Sequence, residues 1–408
     1  MSTETEPVFI LITMDRKADF IVFTRSDGKE ARFPLSSSPF EASSVLSKIH
    51  LAPFLGALLV ETQYGDEVLF ELPIGDALDQ LAGRLVVYLD QNQWSALSNA
   101  RHRAHEVSKE LREAADRLDT WLREGRLVLP ASSAHYYETT KRFDARKRYE
   151  LGLTILQCSR GWQMRDPPQV RRNEIQAGLR LRLSKPDSVQ AEAVFTLDPN
   201  ALHSSIRGKQ GYSASKDLPP EQVRAVETLT SAVAYIDTML DAERLETGPD
   251  TGWAAANQRF SDWLDGEGRD SQQKRKVIDI LMLSDLRREL AEESYSAGLP
   301  LEQLPQWFMK DVIRDINGYP MLGIFRETLH QRHLNKGTTW RPNDLTDMIY
   351  LSCAAGYADI VVCEKHMREP LTRGVRRVGR SARVFRHLTE AVDAIDTFLA
   401  SAPAARFR

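Results

Sequence analysis

Buried apolar runs and helical repeats alternate in the first half of the chain. Residues 85–89 (LVVYL) are continuously apolar, which is typical of a strand buried on both faces of a parallel sheet. From Ser95 to Arg123 apolar residues recur every three or four positions, which predicts a helix. A second apolar run, Leu127–Pro130, is followed by another helix that Ser132 or Ser133 can cap. This order predicts parallel strands joined by right-handed crossovers.

The same alternation returns near the C-terminus. Pro342 to Met367 is a polar turn, an apolar helix, a short connection and a buried strand. Ala382–Phe385 predicts a last strand, and Leu388–Leu399 predicts a closing helix. We therefore expect an α/β core with a central parallel sheet, built from residues 83–150 and 340–408.

Residues 151–339 do not continue the alternation. Glu221–Glu246, Lys274–Gly298 and Trp307–His333 have helical periodicity. We therefore expect a large, mostly helical insertion that divides the α/β core into two parts.

Residues 1–82 predict a small α+β domain. Val8–Thr13, Phe20–Phe23 and Val68–Leu72 have the composition of strands, and Val45–Val60 is compatible with a helix. The sequence does not choose between domain packing, partner contact and substrate gating as the role of this part.

Composition limits the class of protein. The net charge of −3 does not indicate a general nucleic-acid binder, so any basic surface must be local. No apolar run approaches the roughly 18 residues of a membrane span, and the N-terminus lacks the basic region of a signal peptide. Three cysteines without paired spacing favour a reducing compartment, so we expect a cytoplasmic protein. Cys363 and His366 have C-x-x-H spacing without the further ligands of a zinc site.

Acidic residues follow the predicted strands. Asp90 ends one strand, Glu364 ends another, and Asp344, Asp347 and Glu138 lie in first helical turns. Ligands of open parallel sheets bind beyond the carboxyl ends of the strands, so these acids could meet in one crevice. Converging carboxylates repel each other and need a cation, and all-oxygen ligands suit Mg²⁺ or Mn²⁺. Two such ions could support phosphodiester cleavage.

Each acid also has an ordinary alternative role. Asp90 alone could be a turn residue, and Asp344 could be a helix N-cap. Asp347 could be a first-turn acid that the helix dipole favours. Glu138 could form a solvated ion pair with a neighbouring basic residue. The metal-site hypothesis therefore rests on Asp90, Glu138, Asp347 and Glu364 taken together.

The order and context of these acids resemble those of the PIN-domain nucleases. The matching positions are Asp90 in VVYLDQNQW, Glu138 in SSAHYYET, Asp347 in NDLTDMIYLSCAAG, with Asp344 as a competitor, and Glu364 in ADIVVCEKHM. In the family the last strand is commonly followed by Thr-x-Asp, whereas this chain has Cys-Glu-Lys. The fourth acid is thus a glutamate, and the polar residue before it is absent.

The resemblance implies a PIN-like three-layer fold and Mg²⁺- or Mn²⁺-dependent hydrolysis of RNA phosphodiester bonds. Asp90, Asp347 and Glu364 would hold the metal, with Asp344 as a further ligand or support. Glu138 would ligate directly or orient a metal-bound water. The alternatives are a catalytically degenerate PIN-like nucleic-acid-binding or scaffold protein, which the departure at Glu364 favours, and a DNA-directed nuclease.

Two basic clusters lie close in sequence to the acids. Residues 365–386 contain eight Lys or Arg against one acid, and a second cluster follows Glu138. Such clusters could contact the phosphate backbone of RNA or of DNA, although basic runs are usually solvated surface. A protein partner or a homo-oligomer is compatible with the sequence. The candidate nucleic-acid contacts are Arg373, Arg376, Arg377, Lys141 and Arg142.

Overall fold

The chain is a mixed α/β protein with two main sheets, one antiparallel and one parallel. None of the helices in the described part of the chain is long and apolar enough to cross a membrane. The computed structural model describes residues 8–34, 45–73, 77–183, 192–203, 220–240 and 251–401.

The N-terminal part forms an antiparallel six-stranded sheet of order β3-β2-β1-β4-β5-β6. The prediction of a helix over Val45–Val60 is wrong. Pro53 begins a short 3-10 turn, and Gly56 follows with φ 55°, so the segment folds back as a hairpin. The strands are β1 (Phe9–Asp15), β2 (Phe20–Arg25), β3 (Glu30–Pro34), β4 (Leu46–Ala52), β5 (Ala57–Thr62) and β6 (Glu67–Glu71).

The parallel sheet has four strands in the order β12-β11-β7-β8, and its presence confirms the prediction of an α/β class. All five residues of β7 are buried, none more than 7% exposed. The chain passes from β7 to β8 on one side and later places β11 on the other side of β7. The β7–β11 boundary is therefore a topological switch point. The ranges are β7 (Leu85–Leu89), β8 (Leu127–Val128), β11 (Ile360–Val362) and β12 (Arg383–Phe385), with β9 (Gln163–Met164) and β10 (Phe195–Thr196) in a separate pair.

Two predicted helices are divided in the structure. Ser95–Arg123 is interrupted because Arg103 leaves helical geometry, at φ −139° and ψ 51°, and Ser108 caps a new helix. Trp307–His333 comprises three helices, the last of which begins at Pro320. The helices are α1 (Ala77–Leu81), α2 (Gln91–His102), α3 (Lys109–Arg123), α4 (Ser133–Thr140), α5 (Ala145–Ser159), α6 (Pro167–Arg182), α7 (Pro220–Leu240), α8 (Trp253–Gly266), α9 (Ser271–Ala297), α10 (Leu304–Lys310), α11 (Val312–Ile316), α12 (Pro320–Leu334), α13 (Asp344–Tyr357), α14 (Lys365–Val378) and α15 (Leu388–Ser401).

Helices cover both faces of the parallel sheet. Side chains alternate along a strand, so Val87 and Leu89 of β7 face one core while Val86 and Tyr88 face another. The first core contains residues of α2, α3 and α15 together with the buried face of the antiparallel sheet. The second contains residues of α9, α12, α13 and α14. Strand β7, which Asp90 follows, is therefore packed against helices on both faces.

Glu71, at the end of β6, ties the antiparallel sheet to the start of β7. Its carboxylate accepts hydrogen bonds from Arg84 at 2.6 and 3.0 Å and from Trp162 Nε1 at 3.1 Å. Burial would raise the pKa of Glu71, but the hydrogen bonds and charge of Arg84, with Trp162 and Arg160, lower it. The ionised carboxylate therefore stabilises the junction between the two sheets.

We expect Glu71→Gln to lower the free energy of unfolding at pH 7 by about 1–3 kcal/mol, because it weakens charge-assisted hydrogen bonds. The folded-state pKa is lowered, so this stabilisation is present above the ordinary value of 4.5 and is lost as the pH falls through the folded value. Urea unfolding between pH 3 and pH 7 measures the difference. Glu67→Gln, on the exposed part of the same strand, is the control. Equal stabilities of the two variants at pH 7 would contradict this account.

Candidate metal centre

Asp90 and Glu364 lie side by side at the carboxyl ends of β7 and β11. The backbone N–H of Asp90 donates to the carbonyl of Val362 at 2.9 Å, which aligns the two strand ends. Each acid then precedes a helix: Asp90 caps α2 and accepts from Gln91 N–H at 2.8 Å, and Glu364 occupies the N-cap position of α14. Backbone pairing of the two strands thus places two acidic residues at the switch point.

Glu138 and Asp347 reach the same place from α4 and α13. Both line one small cleft with Asp90. The charges of Asp90, Glu138 and Glu364 all act on the carboxyl of Asp347. The structure therefore brings together the four acids that the sequence selects, although they lie on four different elements.

The proximity of these acids changes their ionisation. Burial first, and the neighbouring carboxylates second, raise the pKa of Asp347 to about 8. The same two causes raise the pKa of Glu138 to about 7, against the opposing charges of Lys141 and Arg142. Burial raises the pKa of Asp90 to about 6, with a contribution from the charge of Glu364. Without a cation, the cleft favours partly protonated acids.

Two hydrogen-bond donors, the Arg332 guanidinium and the Arg341 backbone N–H, hold Asp344 beside the cleft. It is only 3% exposed, and one of its oxygens accepts from the Arg332 guanidinium and from the backbone N–H of Arg341 at 2.7 Å. The helix N-cap position belongs to Asn343 and not to Asp344. Ligand atoms of Asp344, Asp347 and His366 all lie within 4.8 Å of one another.

Two further residues at the site were not selected from the sequence. Asn92, on the first turn of α2, donates to Glu364 Oε1. His366 Nδ1 lies 3.2 Å from Glu364 Oε2. The Cys363–His366 spacing did point to His366, but only as part of a zinc motif that lacked ligands. The two other acids near it, Asp344 and Asp347, lie on a separate helix, which a local motif does not reveal.

Asp359 has a different role at the opposite end of β11. Its side chain accepts from Val86 N–H at 2.8 Å, and its own N–H donates to the Val86 carbonyl at 3.0 Å. This acid pairs the amino ends of β7 and β11 and lies away from the cleft. The position of an acid at a strand end therefore does not by itself define the site.

Lys141 and Arg142 lie close enough to the cleft for their charges to lower the pKa of Glu138. Lys141 Nζ is 3.5 Å from the centre of the Tyr137 ring, and Arg142 donates to Ser95 Oγ. These two basic residues border the acidic cleft on the α4 side.

The second basic cluster lies at the far end of α14. Arg373, Arg376 and Arg377 follow Glu364 by nine to thirteen residues, which corresponds to about 14–20 Å along a helix. Arg373 bonds Glu369 at 2.7 Å and Gln331 at 2.9 Å, and Arg377 lies 3.5 Å from Glu327. The structure does not bring this cluster to the carboxylates.

A buried acceptor in the cleft supports a cation site. Gln91 is 6% exposed, and its Nε2 donates to Thr139 Oγ1 at 3.0 Å. Gln91 lines the cleft, and its buried Oε1 accepts no hydrogen bond from any residue in the described part of the chain. Buried acceptors are normally satisfied, and a cation or its water would satisfy this one. The oxygen-rich donor set fits Mg²⁺ or Mn²⁺.

Comparisons with known proteins do not identify a relative. No family model matches the chain, no curated protein matches it, and no solved structure matches it. Any functional conclusion therefore depends on the residues and geometry of the site.

We expect Asp347→Asn to stabilise the metal-free protein at pH 8 by about 1–3 kcal/mol, because it removes one of several repelling, partly buried charges. Since the folded-state pKa of Asp347 is raised from 3.8 to about 8, the stability of the metal-free wild type should fall as the pH rises between these values. Urea unfolding in EDTA from pH 5 to pH 8.5 measures this slope.

The control for this prediction is Glu369→Gln, which changes an exposed acid on α14. It should retain the slope of the wild type. If Asp347→Asn is no more stable than the wild type at pH 8, the carboxylates do not repel each other as the geometry indicates.

Proposed function

We propose that this protein is a Mg²⁺- or Mn²⁺-dependent endoribonuclease with a PIN-like fold. The observation that carries the proposal is the convergence of Asp90, Glu138, Asp347 and Glu364 at the switch point of a parallel sheet. Helices on both faces of that sheet, and the order of the acids along the chain, agree with the PIN-like resemblance. The proposal rests on these residues, since no comparison supplies a relative.

The residues divide into two roles in this proposal. Asp90, Asp347 and Glu364, with Asp344 beside them, would hold the cation. When bound, Mg²⁺ or Mn²⁺ would stabilise the negative charge that develops on the phosphate during cleavage. A cation would also neutralise the repulsion that, together with burial, raises the pKa values of Asp90 and Asp347.

Glu138 is the best candidate for the proton-transfer role. It lines the cleft with Asp90 and Asp347, so a water held there would lie within its reach, and a positioned carboxylate can act as a general base. It would orient the attacking water and accept its proton, while Lys141 and Arg142 would attract the phosphate backbone towards the cleft. RNA is the substrate that the resemblance implies.

We expect Asp90→Asn and Asp347→Asn each to reduce cleavage of labelled single-stranded RNA by at least about a hundredfold, the loss typical when charge stabilisation at the reacting group is removed. The assay uses purified protein with Mn²⁺ or Mg²⁺ and is repeated with single-stranded DNA. Glu369→Gln, away from the cleft, should cleave like the wild type.

Three other outcomes of this assay would each indicate a different site or a different function. Undiminished cleavage by both variants would place the active site elsewhere. Cleavage of DNA but not RNA would indicate a DNA-directed nuclease. Metal and RNA binding without cleavage would indicate a degenerate, nucleic-acid-binding protein.

A further inference from the structure

We propose that His366 supplies a nitrogen ligand to the cation and that the site therefore takes Mn²⁺ in preference to Mg²⁺. This inference rests on the proposed function, since it concerns the metal of the same site. It adds a residue and a metal preference that neither the acids nor the PIN-like resemblance supplies.

The ligand atoms of His366, Asp344 and Asp347 are already grouped, within 4.8 Å of one another. Ligands on one octahedral ion at about 2.1 Å lie about 3–4 Å apart, so small side-chain rotations would close the site. His366 has a 37% exposed side chain that can make such a rotation. The two Asp residues lie in the first turn of α13 and His366 lies in the first turn of α14. The packing of these two helix starts brings the donors together.

Neighbouring groups orient these donors. Glu364 Oε2 lies 3.2 Å from His366 Nδ1, and Asn92 donates to the other oxygen of Glu364, so in this inference Glu364 supports His366 and does not bind the ion directly. A proton on Nδ1 that bonds this carboxylate leaves Nε2 with its lone pair available for a metal. Arg332 and the Arg341 N–H hold Asp344 in place in the same way. The donors are thus supported by a second set of contacts.

A separate observation points to a ligand in this cleft. Gln91 lines the cleft together with Asp347, and its buried Oε1 accepts no hydrogen bond from the described residues. It belongs to α2 and is independent of the cluster formed by α13 and α14. A hydrated cation next to Asp347 would supply the missing donor through one of its waters.

The mixed donor set determines the preference. Mg²⁺ is a hard ion that is bound through carboxylates, phosphates and water, and it dehydrates reluctantly. First-row transition ions such as Mn²⁺ bind imidazole nitrogen together with carboxylate oxygen more readily than Mg²⁺ does. One imidazole among carboxylates therefore raises the affinity for Mn²⁺ more than the affinity for Mg²⁺.

The test compares the wild type with His366→Ala in Mn²⁺ and Mg²⁺ titrations of the full chain, followed by the shift in melting temperature. We expect His366→Ala to weaken Mn²⁺ binding roughly tenfold or more, and to change Mg²⁺ binding by less than about threefold. Electron spin-echo spectra of bound Mn²⁺ should show ¹⁴N coupling in the wild type and not in the variant. His387→Ala, another exposed histidine, is the matched control and should keep both properties.

Absence of ¹⁴N coupling in the Mn²⁺-loaded wild type, or equal weakening of Mn²⁺ and Mg²⁺ binding in His366→Ala, would overturn the inference and leave the proposed function in place. Failure of the wild type to bind either ion would overturn both. Equal metal-free melting temperatures of the variant and the wild type establish that a loss of binding is not a loss of folding.

Discussion

Repulsion between partly buried carboxylates is the constraint on which the rest of this structure depends. Asp90, Glu138, Asp347 and Glu364 come from four elements, and after burial the charges of the neighbouring acids raise the pKa values of Asp347 and Glu138. Such an arrangement is unfavourable unless strong packing holds the backbone in place. The packing is present, since β7 is fully buried and its side chains enter cores on both faces of the sheet. The cation of the proposed function would turn this unfavourable cluster into a favourable one.

The helices between the two parts of the α/β core also support the site. Helix α12 packs closely against α14: a Cβ on Gly374 would lie only 3.0 Å from Ile324 Cγ2. Farther along α12, Arg332 holds Asp344 at the start of α13. Buried bonds from Arg326 to Asp279, at 2.7 and 2.8 Å, fix α12 to α9. The long helical region thus positions the acidic half of the site that comes last in the chain.

The sequence predicts those features that depend on local pattern. The continuous apolar run of β7 and the acid that follows it indicate both a buried parallel strand and the sheet edge at which the four acids meet. Local pattern fails where one segment is compatible with two kinds of secondary structure. The apolar residues of Val45–Val60, for example, suit either a helix or two strands. There the turn at Pro53 and Gly56 decides in favour of the strands. In Ser95–Arg123 the helical period continues through a break that only the backbone at Arg103 reveals.

Contacts between distant segments are beyond this kind of prediction. Asp90 and Glu138 can be assigned to one sheet edge because parallel strands share a direction. The bonds of Arg332 to Asp344 and of Asn92 to Glu364 join residues from separate helices. The grouping of His366 with Asp344 and Asp347 likewise depends on how α13 and α14 meet. Such contacts between side chains of separate helices can be identified only when the packing of the helices is known.

The central claim is that the four acids form a cation site, and calorimetric titration with Mn²⁺ tests it most directly. Metal binding requires deprotonated carboxylates, so binding at pH 7 should release protons, because the pKa values of Glu138 and Asp347 are raised to about 7 and about 8. The account predicts saturable Mn²⁺ binding whose heat depends on the ionisation enthalpy of the buffer, and loss of that binding in Asp90→Asn. Absence of saturable binding, or binding of equal affinity in Asp90→Asn, would contradict it.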